Sequence, residues 1–366
     1  MPVPASQSHG WHTKWRNSAE RGGWLSWVLW PFSLIYRLLV AGRHWGYRLG
    51  WLAAEPMPVP VIVVGNVVAG GAGKTPTTIE LVRHLRLKGW HPGVVSRGYG
   101  RHELEANLPV TPESDPAQCG DEPLLIATRT AAPVFVGAER PAAARALLAA
   151  HPGVNIIVCD DGLQHYALHR DVSIVVFDDR GIGNGMLLPA GLLREPWPPA
   201  SRSPYAPDLA LVQRRDAMPG IDILAIGGIA AYQASRTLSN VAISANGTVQ
   251  ALASMTSQDI IAVAGIARPE VFFDMLEGAG VHIKQRHPLP DHASASEYAA
   301  VLELPAESHV LCTEKDAVKL NALARARDLK GAAHPTIWSV GLQLSIAPDF
   351  FEALDDKLRS LTRFPQ

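Results

Sequence analysis

Cysteine is scarce in this chain, and neither sign of charge dominates it. The 366 residues include only three cysteines, Cys119, Cys159 and Cys312, and no two of them have C-x-x-C spacing. This argues against a disulfide framework and a cysteine-based zinc site, and it fits a reducing, cytosolic setting. The formal net charge of −1 gives no overall basic field, so we expect no nucleic-acid partner.

The N-terminal segment differs from the rest of the chain. Residues 1–56 hold seven of the ten tryptophans, and six Lys or Arg against two Glu give them a charge of +4, which leaves −5 for the remainder. The run from Trp24 to Tyr36 is almost entirely apolar. On a helix, the few polar residues would form one narrow stripe, and Pro31 would kink the helix or start a new one. The segment therefore predicts an apolar helix.

Three interpretations of this helix stay open. It could lie in a membrane interface with its tryptophans at headgroup depth, which is the interpretation we favour. It could span the bilayer, although the uninterrupted apolar run is shorter than the roughly 20 residues that a span needs. It could also pack on the protein's own core.

Residues 65–76 read GNVVAGGAGKTP, between a β-branched run and a helical pattern. This is the context of a phosphate-binding P-loop, in which glycines let backbone N–H groups converge on phosphate oxygens. The partial positive charge of the helix N-terminus adds to the attraction. Lys74 is predicted to reach the β- and γ-phosphates of ATP, and the Thr75 hydroxyl to ligate Mg²⁺. The predicted nucleotide-binding residues of the loop are Val68, Ala69, Gly70, Gly71, Ala72, Gly73, Lys74 and Thr75.

The loop departs from the general P-loop pattern at one position, since Val68 stands where that pattern has its first glycine. Two other features argue against particular classes of P-loop protein. Ala69 stands where the ATPases that partition chromosomes carry a second lysine, which counts against that class. A GTPase would need an N-K-x-D motif to read guanine, and the nearest string, TEKD at 313–316, has the wrong order.

A P-loop also needs an acidic residue at the end of a neighbouring buried strand to hold Mg²⁺. Asp160 and Asp161 end the string NIIVCDD, and Asp178 and Asp179 end SIVVFDD. The residues alone leave both pairs open. For Asp178 and Asp179 we favour a strand-end turn or a helix cap.

Alternating patterns predict an α/β fold. We expect a P-loop NTPase-type parallel sheet domain at 57–240, a second, smaller α/β lobe at 241–366 and the N-terminal apolar helix within 1–56. The predicted strands are 59–65, 93–96, 133–136, 155–159, 172–177, 208–212, 259–264, 281–285 and 309–313. The predicted helices are 76–88, 122–130, 139–150, 268–277 and 294–303.

Seven strings now carry a resemblance to a known family. They are GNVVAGGAGKTP (65–76), SRGYG (96–100), GDEP (120–123), DDGLQH (160–165), LPAGLLREP (188–196), PDH (290–292) and TEKDAVK (313–319). In these strings and their order the chain resembles the tetraacyldisaccharide 4′-kinases of lipid A synthesis. The resemblance implies an ATP- and Mg²⁺-dependent lipid kinase at the cytoplasmic face of the inner membrane of a Gram-negative bacterium.

The resemblance also implies a substrate and a catalytic pair. The kinase would phosphorylate the 4′-hydroxyl of a tetraacylated glucosamine disaccharide 1-phosphate to give lipid IVA, without an obligate protein partner. Asp121 of GDEP and His292 of PDH would form the catalytic pair, with Lys74 as a third catalytic residue. A pair suits the reaction because the histidine helps to take up the proton that the sugar hydroxyl loses.

The remaining matched residues receive binding roles from the same resemblance. Arg140 and Arg194 would contact phosphates of the nucleotide or the lipid. The metal and its waters would be held by Thr75, Asp160, Asp161 and Glu195. The disaccharide would be touched by Arg97, Tyr99, Gln164 and His165. The string TEKDAVK has no evident mechanism beyond placing a strand end.

Two rival functions remain. A membrane-recruited P-loop switch ATPase would hydrolyse ATP slowly under the control of a protein partner, and Ala69 counts against it. A soluble small-metabolite kinase would leave the Trp-rich N-terminal segment unexplained.

Overall fold

The computed structural model describes residues 14–99, 101, 106–199, 205–214, 228–255, 260–291, 293–329 and 331–361. In chain order the strands are β1 (Val61–Gly65), β2 (Pro92–Ser96), β3 (Leu108–Val110), β4 (Val134–Val136), β5 (Ile156–Asp160), β6 (Val172–Phe177), β7 (Leu209–Arg214), β8 (Ala230–Ser244), β9 (Val249–Ala251), β10 (Ile260–Ala264), β11 (Ile283–Pro288), β12 (His309–Thr313) and β13 (Thr336–Ile346). The helices are α1 (Trp24–Arg48), α2 (Lys74–Leu87), α3 (Pro116–Cys119), α4 (Asp121–Thr130), α5 (Arg140–Ala150), α6 (Pro269–Gly278), α7 (Ala295–Val301), α8 (Glu314–Asp328) and α9 (Pro348–Arg359).

The chain folds into two compact units, and it enters each of them more than once. Unit 1 consists of Met1–Lys74, Ile156–Ser235 and Ile346–Gln366, and unit 2 of Thr75–Asn155 and Arg236–Ser345. The linear domain boundaries expected at 56/57 and 240/241 stay a prediction.

Unit 1 is built on parallel strands. β1 pairs in parallel with β5 on one side and with β6 on the other, so that Val64 lies opposite Asp160 and Gly65 opposite Val175. β6 pairs with β7, and β7 with the first residues of β8, also in parallel. β1, β5 and β6 are buried along their whole length, as their continuous apolar sequences predict for parallel strands covered on both faces. The carboxyl ends of β1, β5 and β6 thus lie side by side.

Unit 2 contains a second set of strands. β2 pairs in parallel with β4, and the short β3 runs antiparallel to β4. β10 lies between β11 and β12, and β12 pairs with β13, all in parallel. Helices α4 and α8 pack against each other in this unit. The α/β class and most predicted elements are confirmed, whereas β3, β8, β9, β13, α3, α8 and α9 were not anticipated.

The polar side of helix α1 faces the rest of unit 1, and its apolar side faces outward. Pro31 lies inside the helix without dividing it. Ser33 is buried and its hydroxyl donates to the carbonyl oxygen of Leu187 at 2.8 Å, while the Tyr36 hydroxyl donates to the carbonyl oxygen of Arg194 at 3.0 Å. Leu38 is 72% exposed. The outward apolar surface contradicts the interpretation that this helix hides its apolar side on the protein's own core.

Ten large apolar side chains of α1 are exposed to water. They are Trp24, Trp27, Val28, Trp30, Phe32, Leu34, Ile35, Leu38, Leu39 and Trp45. A contiguous apolar surface of this kind marks a site of contact with a membrane or a partner. Among the described residues, α1 is the one helix long and apolar enough to cross a membrane by length and composition.

The start of α8 is fixed by a buried carboxylate. Asp316 is fully buried, and its Oδ1 accepts hydrogen bonds from the Gly265 N–H at 3.0 Å and from the Tyr298 hydroxyl at 2.6 Å. Its Oδ2 accepts from the Thr313 hydroxyl at 2.6 Å, and Thr313 Oγ1 in turn caps the helix by accepting from the Asp316 N–H. The string TEKDAVK is therefore the N-terminus of a helix that is tied to β10 and α7.

Replacing Asp316 with alanine is expected to destabilise unit 2 by about 3 kcal/mol, because it leaves several buried donors without an acceptor. The measurement is the midpoint of urea unfolding. The matched control is Asp328→Ala on the same helix, where the side chain is 65% exposed and the loss is expected to be small. Equal effects of the two substitutions would contradict this account of the helix start.

Candidate active site

The glycine-rich loop begins where β1 ends, and a buried asparagine organises it. Asn66 is fully buried. Its Nδ2 donates to the carbonyl oxygens of Val68 at 2.6 Å and Gly70 at 3.0 Å, and its Oδ1 accepts from Lys74 Nζ at 3.3 Å. The asparagine therefore holds the loop backbone and the loop lysine together.

Two side chains from other parts of unit 1 donate to three further carbonyl oxygens of the loop. Arg180 donates from Nη1 to the carbonyl of Ala69 at 2.9 Å and from Nη2 to that of Gly71 at 3.1 Å. Gln213 Nε2 donates to the carbonyl of Gly73 at 2.8 Å. A Cβ on Gly73, whose φ is +77°, would lie 1.9 Å from Gln213 Oε1, so that only glycine fits there.

Arg180 is itself oriented by the strand-end carboxylate of Asp178. Its Nε lies 3.0 and 2.9 Å from the two oxygens of Asp178, and its side chain is only 7% exposed. Asp178 Oδ1 also accepts from the Arg180 backbone N–H at 3.1 Å, which is a strand-end turn. The Asp178 carboxylate is therefore engaged with this guanidinium.

A charged cluster adjoins the loop at the end of β5. Asp161 Oδ1 lies 3.5 Å from Lys74 Nζ and 3.5 Å from Arg194 Nη1. Arg194 Nη1 also donates to Gln164 Oε1 at 3.5 Å, and Gln164 Nε2 donates to the carbonyl of Asn66 at 3.1 Å. The fold thus brings together residues from three separate parts of the sequence, which are Lys74, the pair Asp161 and Gln164, and Arg194.

Glu195, next to this cluster, belongs to a hydrogen-bonded chain that reaches helix α1. The Tyr166 hydroxyl donates to Glu195 Oε1 at 2.7 Å, and His44 Nε2 lies 2.9 Å from the same hydroxyl. Burial, reinforced by the Glu195 carboxylate, raises the pKa of Tyr166 well above its usual value, so that the phenol is a permanent donor. The outward-facing helix is therefore connected to the predicted metal and phosphate residues.

The donor chemistry of this region fits Mg²⁺. The ion is hard, prefers oxygen ligands, and is held in nucleotide sites by one or two carboxylates plus phosphates and water. Asp160, fully buried, is the last residue of β5 and Asp161 follows it, and Glu195 lies in the same unit. Within the part of the chain that the structure describes, no group of three or more His, Cys, Asp or Glu could hold a metal ion by itself.

In unit 2, Asp121 begins α4 and is buried. Its Oδ2 lies 3.2 Å from Lys319 Nζ and 4.0 Å from Lys315 Nζ. His292, predicted as its partner, lies outside the described residues. The flanking residues Asp291 and Ala293 are described, and both belong to unit 2.

Arg140 is buried at the start of α5. Its Nη1 donates to the carbonyl of Gly137 at 2.5 Å, whereas Nε and Nη2 have no hydrogen-bond partner among the described residues. Burial, together with the Arg140 charge, lowers the pKa of the neighbouring Arg101. Two buried guanidinium groups close together favour an anion.

The other predicted residues have simpler surroundings. Thr75 is buried in the first turn of α2, and Arg97 and Tyr99 are exposed after β2. His165 lies in the turn after β5, where its backbone N–H donates to the carbonyl of Gly162 at 2.9 Å. The structure does not assign these side chains to a sugar.

Several residues of the site were missed by sequence reasoning. Arg180 and Gln213 have no sequence signature, because their role is to bond loop carbonyl oxygens that only folding brings near. Tyr166 directly follows DDGLQH, and Lys315 and Lys319 lie inside TEKDAVK. The matched strings therefore indicated these regions, but they did not predict the contacts of the three side chains.

A buried parallel strand, a glycine-rich loop and a helix that begins with Lys-Thr define the class: this is a P-loop protein of the nucleotide-binding α/β type. The family follows from comparison. The model of the family described as tetraacyldisaccharide-1-P 4′-kinase matches residues 25–359, and the chain belongs to that family.

Individual relatives agree with the family model. The chain is 48% identical over 349 residues to the tetraacyldisaccharide 4′-kinase of Acidovorax ebreus (strain TPSY), covering 95% of both proteins. It is 43% identical over 361 residues to that of Delftia acidovorans, covering 98% of both. The crystal structure of the Aquifex aeolicus protein LpxK, described as an "apo" form in complex with ATP, has a TM-score of 0.72 and 23% identity, covering 91% of this chain and 99% of that one. This last likeness shows the fold.

Replacing Arg180 with lysine is expected to weaken binding of a fluorescent ATP analogue roughly tenfold, because a single ammonium cannot hold two loop carbonyl oxygens and Asp178 at once. Arg359→Lys is the matched control, since that side chain is 65% exposed on α9. Unchanged affinity in Arg180→Lys would show that the loop keeps its shape without this contact.

Proposed function

We propose that this protein is an ATP-dependent lipid kinase that transfers the γ-phosphate of ATP to the 4′-hydroxyl of tetraacyldisaccharide 1-phosphate, forming lipid IVA in lipid A biosynthesis. Membership of the tetraacyldisaccharide 4′-kinase family along nearly the whole chain carries the proposal. The loop geometry supports it, since Lys74 and the loop backbone are held ready for a triphosphate.

The nucleotide half of the reaction belongs to unit 1 and the start of α2. The loop N–H groups and the α2 N-terminus bind phosphate oxygens, and Lys74 neutralises the charge that develops on the transferred group. Arg194 supplies a second cation near Asp161. Bound Mg²⁺, held by Thr75, Asp160, Asp161 and Glu195, would neutralise phosphate charge.

The acceptor half of the reaction is assigned to Asp121 and His292. A sugar hydroxyl must lose its proton as it attacks phosphorus, and a carboxylate with a histidine partner can accept and pass on that proton. Arg140 contributes a buried positive charge for a phosphate of the nucleotide or the lipid. Arg97, Tyr99, Gln164 and His165 stay the candidates for disaccharide contacts.

The decisive experiment supplies γ-³²P-ATP and the disaccharide 1-phosphate in detergent micelles. We expect label in the lipid, and a loss of about 100-fold or more in kcat for Asp121→Asn, because a general base typically contributes 10²–10⁴-fold. ATP binding should persist in this variant.

The control for Asp121→Asn is Glu113→Gln, which changes an exposed carboxylate upstream of α3 and should leave kcat unchanged. If wild-type protein leaves the lipid unlabelled, the proposed function fails. If Asp121→Asn turns over normally, Asp121 has no part in the chemistry.

We place the enzyme at the cytoplasmic face of the bacterial inner membrane, with α1 lying in the interface. The support is the exposed apolar surface of α1 together with the hydrogen bonds that tie its other side to the loop around Arg194. A kinase whose acceptor is a tetraacylated lipid needs such contact, because the lipid does not leave the bilayer readily. The cytosol supplies ATP to this face.

The double substitution Leu38→Gln/Leu39→Gln is expected to lower partitioning onto phospholipid vesicles at least tenfold, because each leucine buried in lipid contributes on the order of 1.5 kcal/mol. The measurement is vesicle sedimentation with the full chain. Leu87→Gln/Leu329→Gln is the matched control, since these leucines are 86% and 91% exposed but lie outside α1. Equal partitioning of the two double variants would refute the membrane role of this surface.

A further inference from the structure

Two lysines of α8 lie one helical turn apart on the same side of the helix. Lys315 and Lys319 are four residues apart in the first two turns of α8, a spacing that places side chains next to each other. Asp316 ties this end of the helix to Gly265 and Tyr298. The two ammonium groups therefore project from a fixed platform.

Lys319 contacts both of the segments that supply the predicted catalytic pair. Its Nζ lies 3.2 Å from Asp121 Oδ2 and donates to the carbonyl oxygen of Ala293 at 3.2 Å. Its Nζ also lies 5.4 Å from the centre of the Tyr298 ring, a cation–π distance that restrains the side chain. One ammonium group thus joins the start of α4 to the residue that follows PDH.

Lys315 makes the same connection from the preceding turn. Its Nζ donates to Asp291 Oδ1 at 3.1 Å and lies 4.0 Å from Asp121 Oδ2. The two lysines together contact Asp121 and both neighbours of position 292, and all of these residues belong to unit 2.

Burial makes these contacts strong. The side chains of Asp121, Lys315 and Lys319 are 4%, 14% and 20% exposed. Burial by itself would lower the pKa of Lys315, but the carboxylates of Asp291, Glu122 and Asp121 outweigh it and raise that pKa, so that Lys315 stays charged. Removing one partner of a buried ion pair leaves an uncompensated charge, which makes the arrangement specific.

We propose that Lys319 and Lys315 are positioning residues that hold Asp121 and the segment around PDH in the one arrangement from which the carboxylate accepts the substrate proton. The proposal rests on the proposed function through Asp121. Neither lysine needs to touch substrate, because each acts through the residues that it holds. It gives TEKDAVK a role: Thr313 and Asp316 fix the helix, and its two lysines assemble the acid–base segments.

The test measures lipid phosphorylation by the full chain carrying Lys319→Met, with rates normalised to the number of nucleotide sites titrated. We expect kcat to fall at least tenfold with an unchanged KM for ATP, since a small misplacement of a catalytic group can cost 10²-fold. Lys319→Arg keeps the charge and should recover part of kcat. Arg325→Met, at an exposed position on the last turn of α8, should behave as wild type.

Asp291→Asn is a second variant that tests the same proposal in case Lys319→Met fails to fold. Its side chain is 33% exposed, so that the change is tolerated, and it removes the negative charge that pairs with Lys315 while leaving both lysines in place. We expect a several-fold lower kcat with an unchanged melting temperature.

The outcomes separate the two proposals. Wild-type protein that leaves the lipid unlabelled refutes the proposed function. Wild-type protein that labels the lipid while Lys319→Met and Asp291→Asn keep full kcat refutes the positioning role alone. A lower kcat for Lys319→Met that Lys319→Arg does not improve, with Asp291→Asn fully active, also refutes it.

Discussion

A loop that offers its backbone N–H groups to phosphates must turn its carbonyl oxygens elsewhere, and each of them needs a donor. In this protein the donors are Asn66, Arg180 and Gln213. Asn66 lies within the loop, whereas Arg180 follows β6 and Gln213 is the penultimate residue of β7. The shape of the loop therefore depends on parallel strands in register, because the strand ends bring these donors to it. The rest of the nucleotide site, including the contact between Lys74 and Asp161, depends on that shape.

In unit 2, buried ionic contacts hold the carboxylate of Asp121 in place. A buried carboxylate that is to accept a proton must be held in a fixed position, and the ammonium groups of Lys315 and Lys319 lie beside Asp121 Oδ2. The lysines are held by a helix whose start is tied down through Asp316. In each unit a buried ionic contact holds a side chain of the predicted site in place, Asp178 with Arg180 in unit 1 and Lys319 with Asp121 in unit 2.

The sequence predicted the elements whose patterns are local. The buried strand β1, the loop and most alternating strands and helices follow from apolar runs and glycine spacing, and the loop residues follow from the chemistry of phosphate binding. The sequence could not predict that Arg180 reaches the loop carbonyl oxygens, or that Lys315 and Lys319 reach Asp121, because these contacts join distant residues and carry no periodic signal. The polar stripe of α1 was seen, but its direction depends on acceptors such as the Leu187 carbonyl. A hydrophobicity pattern does not reveal such partners.

The central claim is that the γ-phosphate passes to a sugar hydroxyl of a lipid and not to water. The most direct measurement is the ³¹P NMR spectrum of the lipid recovered after incubation with ATP. The account predicts a second phosphomonoester on the disaccharide, at the 4′ position, formed in step with ADP. ADP formed together with inorganic phosphate, while the lipid keeps its single phosphate, would contradict it and favour the switch ATPase.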